Sequence, residues 1–116
     1  MIVRADAAIY IDFNGLEISD YTAGQELRFS LARIDVPPGA SHAGAYSQRS
    51  DKDYFVPEGS IAFRLDGQER QLGMCDFCVV SQGIRISYWN RAEQLSILLL
   101  HHTSIFDPQA EIFTET

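Results

Sequence analysis

The sequence predicts an all-β fold, and two observations support this prediction. Turn signals recur at short intervals, and the runs between them are rich in β-branched and aromatic residues that alternate with polar ones. No segment of useful length shows the periodicity of an amphipathic helix. About ten short strands joined by regular turns are typical of a β-sandwich or a closed barrel. The predicted strands include Ala8–Phe13, Leu16–Ser19, Glu26–Val36, Ser60–Leu65, Gln68–Leu72, Phe77–Val80, Ile84–Trp89, Leu95–His102 and Glu111–Phe113.

Turn-forming residues bound the strands in the first third of the chain. The dipeptide Asn14-Gly15 is typical of a tight hairpin and separates the first two strands. In the third strand, Leu27, Phe29 and Leu31 share one face at a period of two residues. The run Pro37-Pro38-Gly39 ends that strand, because neither proline can donate a hydrogen bond to a neighbouring strand.

The second half of the chain repeats this arrangement. Ile61 and Phe63 alternate with smaller or polar residues, and Asp66-Gly67 then reverses the chain. A turn at Ser81-Gln82-Gly83 separates the next two strands, and Pro108 marks the last break before a short final strand. Each predicted strand is therefore bounded by residues that favour a turn.

Length and charge narrow the possible functions. At 116 residues the chain is expected to form a single domain, residues 1–116. A net charge of −7 argues against nucleic acid and against anionic membrane surfaces as partners. The longest apolar run, Ile97–Leu100, is too short to span a membrane, and no signal peptide is evident. Two cysteines without an export signal favour a cytoplasmic location.

The stretch from Gly39 to Gly59 has the spacing of a metal-binding motif without the metal ligands. The motif is G-x5-H-x-H-x3/4-E-x6-G, and both of its glycines are in register here. Its two histidine positions hold Ala45 and Ser47, and its glutamate position holds Lys52. A methyl, a hydroxyl and an ammonium group cannot replace two imidazoles and a carboxylate around a transition metal.

A second motif, G-x5-P-x-G-x2-H-x3-N, follows at a short distance. Its five defined positions hold Cys75, Ser81, Gly83, Ile86 and Asn90, of which Gly83 and Asn90 match. The joint spacing of the two motifs resembles that of the cupin superfamily, over roughly residues 27–108. This resemblance implies a double-stranded jelly-roll β-barrel with a pocket between its two sheets. It also implies a homodimer, in which the N-terminal strands of residues 1–24 complete the barrel or exchange with the partner.

The resemblance also identifies where a metal would be held. The three histidines and the glutamate of a metal-binding cupin correspond to Ala45, Ser47, Ile86 and Lys52, and none of these is a strong ligand. We therefore expect no metal at the usual site and no cofactor.

The histidines of the chain offer a fallback metal site. His101 and His102 are adjacent on a strand, so their side chains point to opposite faces and cannot both reach one ion. His42 is expected in the loop before the first motif strand. The favoured reading is one core, one surface and one loop histidine, because no sequence spacing unites these groups.

Alternation predicts which side chains line the pocket. Residues that share a face with the replaced ligands are expected to point inward. Among these, the candidate catalytic residues are Lys52, Tyr54 and Tyr88. The candidate ligand-binding residues are Ala45, Ser47, Val56, Ile84 and Ile86. Lys52 has two readings: an inward amine whose pKa burial lowers, or a side chain at the strand entrance that reaches solvent beside an aspartate.

Three functions fit this pattern, and the sequence leaves open whether the protein is an enzyme. The first is a metal-independent isomerase, epimerase or cyclase type of enzyme, in which Lys52, Tyr54 and Tyr88 transfer protons to a small molecule. Such enzymes carry a histidine on a motif strand, and alternation provides none here. The second is a ligand-binding or regulatory module without catalysis. The third is a metal enzyme with an atypical site built from histidines and a carboxylate.

Overall fold

A computed structural model of the protein describes residues 1–114. This part of the chain forms two antiparallel β-sheets packed face to face, and its only helical segments are two single 3₁₀ turns. The strands are β1 (Ile9–Phe13), β2 (Leu16–Asp20), β3 (Ser30–Val36), β4 (Ser41–Ser47), β5 (Lys52–Glu58), β6 (Ile61–Leu65), β7 (Gln68–Leu72), β8 (Phe77–Val80), β9 (Ile86–Trp89), β10 (Ser96–His102) and β11 (Glu111–Phe113). The all-β prediction is confirmed.

The two sheets interleave strands from distant parts of the sequence. One sheet has the order β1-β2-β3-β10-β5-β8, and the other has the order β11-β4-β9-β6-β7. Consecutive strands therefore often lie in opposite sheets, as when β4 is followed by β5. This connectivity encloses a space between the sheets that side chains from both of them line.

Two predicted hairpins are present at their predicted places. Asn14 and Gly15 have φ values of 53° and 90°, and Asp66 and Gly67 have values of 46° and 84°. Positive φ at both central residues is characteristic of a type I′ turn, whose twist matches that of the flanking strands. These dipeptides fix the β1–β2 and β6–β7 pairings.

The third strand differs from its prediction. β3 begins at Ser30, and its buried side chains are Ser30, Ile34 and Val36 rather than the odd-numbered apolar residues. Phe29 lies before the strand and is 39% exposed. Of the predicted apolar set only Leu31 lies in β3, on the face opposite Ser30 and Ala32, whose small side chains leave space inside the barrel.

The core lies between the sheets and is strongly aromatic at its centre. Tyr54, Phe63 and Tyr88 are buried, and their ring centroids lie 5.2–5.9 Å apart in tilted or edge-to-face contacts. Such geometry adds to the stabilisation from burial because ring edges carry partial positive charge and ring faces partial negative charge. The surrounding buried residues are Leu16, Ile34, Val36, Val56, Ile61, Leu72, Val80, Ile86 and Leu98.

Two residues of the sequence motifs have structural roles. A Cβ atom on Gly59 would lie 2.3 Å from the Ser96 Oγ atom, and the φ of Gly59 is +84°, so no other residue fits there. Asn90 is buried, and its Nδ2 group donates hydrogen bonds to the carbonyls of Val36 at 2.9 Å and Gln94 at 2.8 Å. Both motif residues therefore hold the barrel together.

No helix within residues 1–114 combines the length and the apolar character that crossing a bilayer requires. The single-domain boundaries, the homodimer, the exchange of N-terminal strands and the cytoplasmic location stay predictions.

Candidate functional site

A β-bulge in β4 turns His42 toward the barrel interior. In the pairing of β4 with β9, His42 is opposite Tyr88 and Ala45 is opposite Ile86, so three steps on β4 match two steps on β9. The extra residue lets His42 and Ala45 face the same side, although their spacing would place them on opposite sides of a regular strand. The prediction of His42 in a loop was wrong, as was the conclusion that no motif strand carries a histidine.

The His42 ring is held in an aromatic stack. Its centroid lies 5.3 Å from that of Tyr88, 5.5 Å from that of Phe13 and 6.1 Å from that of Phe113. Nδ1 lies 2.6 Å from the carbonyl oxygen of Ala43. Because a carbonyl can only accept, Nδ1 carries the proton and Nε2 keeps its lone pair. Burial lowers the pKa of His42, so the ring is neutral at pH 7 and can act as a base.

Tyr54 and Tyr88 bring two phenol groups to the same place. Both side chains are buried, and their ring centroids are 5.9 Å apart. Burial raises the pKa of both hydroxyls, so both stay protonated at neutral pH. Neither hydroxyl hydrogen-bonds to another residue within 1–114. Buried polar groups normally have partners, so these hydroxyls are available to a bound molecule.

Lys52 is buried rather than exposed, and its partner is a glutamate. Its Nζ atom donates a hydrogen bond to the Oε1 atom of Glu111, and the two side chains are 4% and 9% exposed. The reading in which Lys52 reaches solvent beside an aspartate was therefore wrong. Its amine is committed to an ion pair, and Glu111 is the member of this pair that lines a cavity.

The two adjacent histidines on β10 face opposite sides of their sheet, as predicted. His101 faces outward, where its Nδ1 atom lies 3.0 Å from Asp53 Oδ2 and its ring packs beside Phe29. His102 faces inward and is 6% exposed. Burial, followed by the nearby charge of Lys52, lowers the pKa of His102 to about 4. His102 is therefore a second neutral imidazole inside the barrel.

Two adjoining cavities have volumes of about 120 and 180 Å³; strands of both sheets line the first, whereas β1, β2, β3 and β10 of one sheet and Phe106 line the second. They share an apolar wall that includes Phe13, Ile34 and Phe106, and His102 lines both of them. The first cavity adds the polar groups, which are His42, Tyr54, Tyr88 and Glu111. The second cavity is the more apolar of the two.

The five residues proposed to bind a ligand lie outside the walls of these two cavities. Ala45, Val56 and Ile86 are fully buried, and Ile84 packs against the core. Ser47 is buried, and its Oγ atom accepts hydrogen bonds from the backbone of the following turn. The five residues are therefore part of the packed interior, apart from these two cavity walls. Their role in binding stays a prediction.

Four functional candidates come from different strands of the described chain. Strand alternation predicts that Tyr54 and Tyr88 face the interior, whereas it does not predict the positions of His42 and Glu111. Gly44 inside β4 was the available signal for His42, because glycine within a strand often marks a bulge. Glu111 carries no local signal, since its partner Lys52 is distant in sequence. Within residues 1–114, no three His, Cys, Asp or Glu side chains are grouped so that they could hold a metal ion.

Comparison of the whole chain finds similarity at the level of structure. No protein-family model and no curated protein matches its sequence. The structure is similar to Pac13, a nucleoside dehydratase with a β-barrel structure, at a TM-score of 0.86 and 19% identity, over 99% of this chain and 91% of that one. Structures of variants of the Streptomyces protein, with one histidine or one of two tyrosines replaced, contain uridine.

Two further structures extend the comparison. A predicted oxalate decarboxylase from Thermotoga maritima has a TM-score of 0.79 and 17% identity, over 90% of this chain and all of that one. The cupin domain of Schizosaccharomyces pombe Cnp3 has a TM-score of 0.74 and 15% identity, over 85% of this chain and 70% of that one. At identities of 15–19%, the likeness concerns architecture alone. The chain therefore has the jelly-roll fold of the cupin superfamily.

Proposed function

We propose that the first cavity is the site of an acid–base lyase that eliminates water from a small hydroxylated carbonyl compound. The observation that carries this proposal is the position of His42, a neutral imidazole with a fixed tautomer, stacked on Tyr88 in the cavity wall. The resemblance to a nucleoside dehydratase supports an elimination, and a nucleoside is the first substrate class to test.

The side chains divide the work of such an elimination. His42 Nε2 accepts the proton from a C–H bond next to the carbonyl, and the electrons of that bond form a C=C bond as the neighbouring C–O bond breaks. The imidazolium then returns the proton to the departing hydroxyl, which leaves as water. His42 ends the reaction neutral, so one residue serves as base and acid.

The phenols and the ion pair complete the proposed site. Tyr54 and Tyr88 keep their protons because burial raises their pKa values, so they can donate hydrogen bonds to the carbonyl oxygen as negative charge develops on it. Lys52 holds Glu111 in place, and Glu111 can accept hydrogen bonds from substrate hydroxyls. This assignment moves the acid–base role from Lys52 to His42.

Metal independence is part of the proposal. It is supported by the residues at the four usual ligand positions, since Ala45, Ser47, Lys52 and Ile86 lack strong donor atoms or, for Lys52, use the amine in an ion pair.

The proposal predicts a large effect of His42→Gln on turnover. Wild-type protein should act on an oxidised nucleoside that contains a β-hydroxy carbonyl group. The product should have lost one water molecule, and mass spectrometry should detect this loss of mass. His42→Gln should slow this reaction by roughly 10²- to 10⁴-fold, the usual contribution of a general base. The matched control is His101→Gln, a histidine on the outer face, which should react at the wild-type rate.

Two outcomes would contradict the proposal. Equal rates for His42→Gln and wild type would remove His42 from the reaction. A wild-type protein that binds uridine, but converts no compound of a β-hydroxy carbonyl panel, would instead be a binding module without catalysis.

A further inference from the structure

His102 is a buried polar side chain without a partner. It is 6% exposed, and neither ring nitrogen forms a hydrogen bond with any residue within 1–114. Its ring nitrogens are not fully enclosed, since Ser104 Oγ is the one fully buried side-chain atom without a hydrogen bond within residues 1–114, so a bound molecule or water can reach them. The elimination proposed above makes no use of His102, so its position needs a separate explanation.

The other polar groups around the second cavity are already engaged. Asp20 Oδ1 accepts hydrogen bonds from the backbone of Thr22 and Ala23, and it thereby stabilises the turn after β2. Ser30 Oγ accepts a hydrogen bond of 2.7 Å from the Phe106 amide. His102 lies on β10 directly between Ser30 of β3 and Lys52 of β5. Among the side chains of this wall, His102 is the one whose polar atoms form no hydrogen bond within residues 1–114, whereas Asp20 and Ser30 each use at least one oxygen in holding the backbone.

The size and walls of the second cavity limit what it can hold. Its volume is about 180 Å³, and its lining is predominantly aliphatic and aromatic. A cavity of about 150 Å³ lined by such side chains can hold one benzene ring. The rings of Phe106 and His102 lie 5.2 Å apart, so a flat group here would meet an aromatic surface as well as a polar one.

We propose that His102 and the second cavity form a subsite for a single planar, uncharged heterocyclic ring that carries a hydrogen-bonding group at its edge. A neutral imidazole has one donor and one acceptor nitrogen, which point in different directions, so one of them forms the hydrogen bond to the edge of such a ring. A pyrimidine base has this size and such an edge, whereas a purine base has a second fused ring. The inference rests on the proposed function, because it adds a recognition group for the same substrate.

Binding measurements test the subsite separately from catalysis. Isothermal titration of wild-type protein should give tighter binding for uridine than for inosine or methyl riboside. His102→Phe keeps a flat ring but removes both nitrogens, and it should weaken uridine binding by about tenfold or more. The control His101→Phe, on the other face of the same strand, should bind uridine as the wild type does.

A second measurement uses the wild-type protein alone. On addition of uridine, the imidazole nitrogen resonances of His102 should shift, while those of His101 should stay in place. This measurement retains its meaning even if His102→Phe fails to fold.

The outcomes separate the subsite from the proposed function. Unchanged uridine affinity in His102→Phe, or tighter binding of inosine than of uridine, would overturn the subsite while leaving the role of His42 intact. Failure of both nucleosides to bind would overturn the subsite and remove nucleosides as the substrate class. In the expected case, His102→Phe raises KM and leaves kcat near the wild-type value, whereas His42→Gln lowers kcat.

Discussion

Strands β4 and β5 both line the site and both have an irregular step in their pairing, but only on β5 do the inward residues keep the alternation of a regular strand. On β5 the buried residues are Lys52, Tyr54 and Val56, each two positions from the next. On β4 the interior receives His42 and Ala45, three positions apart, because of the bulge opposite Ser87. One additional residue thus decides whether the imidazole of His42 lines the cavity. Where a strand bulges, alternation assigns the chemistry to the wrong face.

The strongest test of this comparison is to move the imidazole by one residue. Regular alternation would place Ala43, not His42, on the same face as Ala45. Because the bulge reverses this, the variant His42→Ala/Ala43→His should be no more active than His42→Ala. Both should be slower than wild type by roughly 10²- to 10⁴-fold in the water-elimination assay. Recovery of activity in the double variant would show that the bulge does not determine the face.

A second test concerns strand β5 and the buried charge of Lys52. Lys52→Met leaves the Glu111 carboxylate without its partner, and loss of one member of a buried pair typically costs about 3–5 kcal/mol. Urea denaturation should show this decrease in the free energy of unfolding. Lys52→Met/Glu111→Leu removes both charges and should recover most of the stability. A decrease below about 1 kcal/mol in Lys52→Met would mean that the pair is open to water.

A smaller effect concerns His102, which faces the interior from β10. The pKa of His102 is about 4 in the folded protein and 6.5 in the unfolded chain, so the unfolded chain binds more protons between these values. The free energy of unfolding should therefore fall as pH decreases from 6.5 to 4, and His102 accounts for about 3 kcal/mol of this decrease. His42 contributes in the same direction, because burial lowers its pKa as well.

Denaturation across this pH range should show the decrease in wild type. The slope should be shallower in His102→Phe. A slope in His102→Phe equal to that of the wild type would contradict the assignment.

The sequence was sufficient to predict the parts of the fold that depend on local chemistry. Asn14-Gly15 and Asp66-Gly67 form the predicted turns because positive φ suits these residues. The inward faces of β5 and β9 followed from alternation, which placed Tyr54 and Tyr88 correctly inside the barrel. The spacing of the two motifs was enough to predict the jelly-roll fold, although most of the motif residues are replaced.

The site was less predictable because its parts depend on pairing between distant strands. Predicting that His42 faces the interior requires the register of β4 against β9. A shift of one residue in that register moves every side chain of the strand to the opposite face. Predicting the partner of Lys52 requires the position of β11, which pairs with β4. The neighbouring aspartates were nearer in sequence, but on β5 an adjacent residue such as Asp53 faces the opposite side of the sheet.

The polar groups around the first cavity come from five strands, β4, β5, β9, β10 and β11, which belong to both sheets. No partly folded chain with only one sheet can bring Tyr54 to His42 and Tyr88, and none without its last strand can add Glu111. The many pairings between distant residues also make folding slow relative to helical proteins of this size. Ligand binding during refolding should therefore appear only with the final kinetic phase, and it would report completion of the whole barrel.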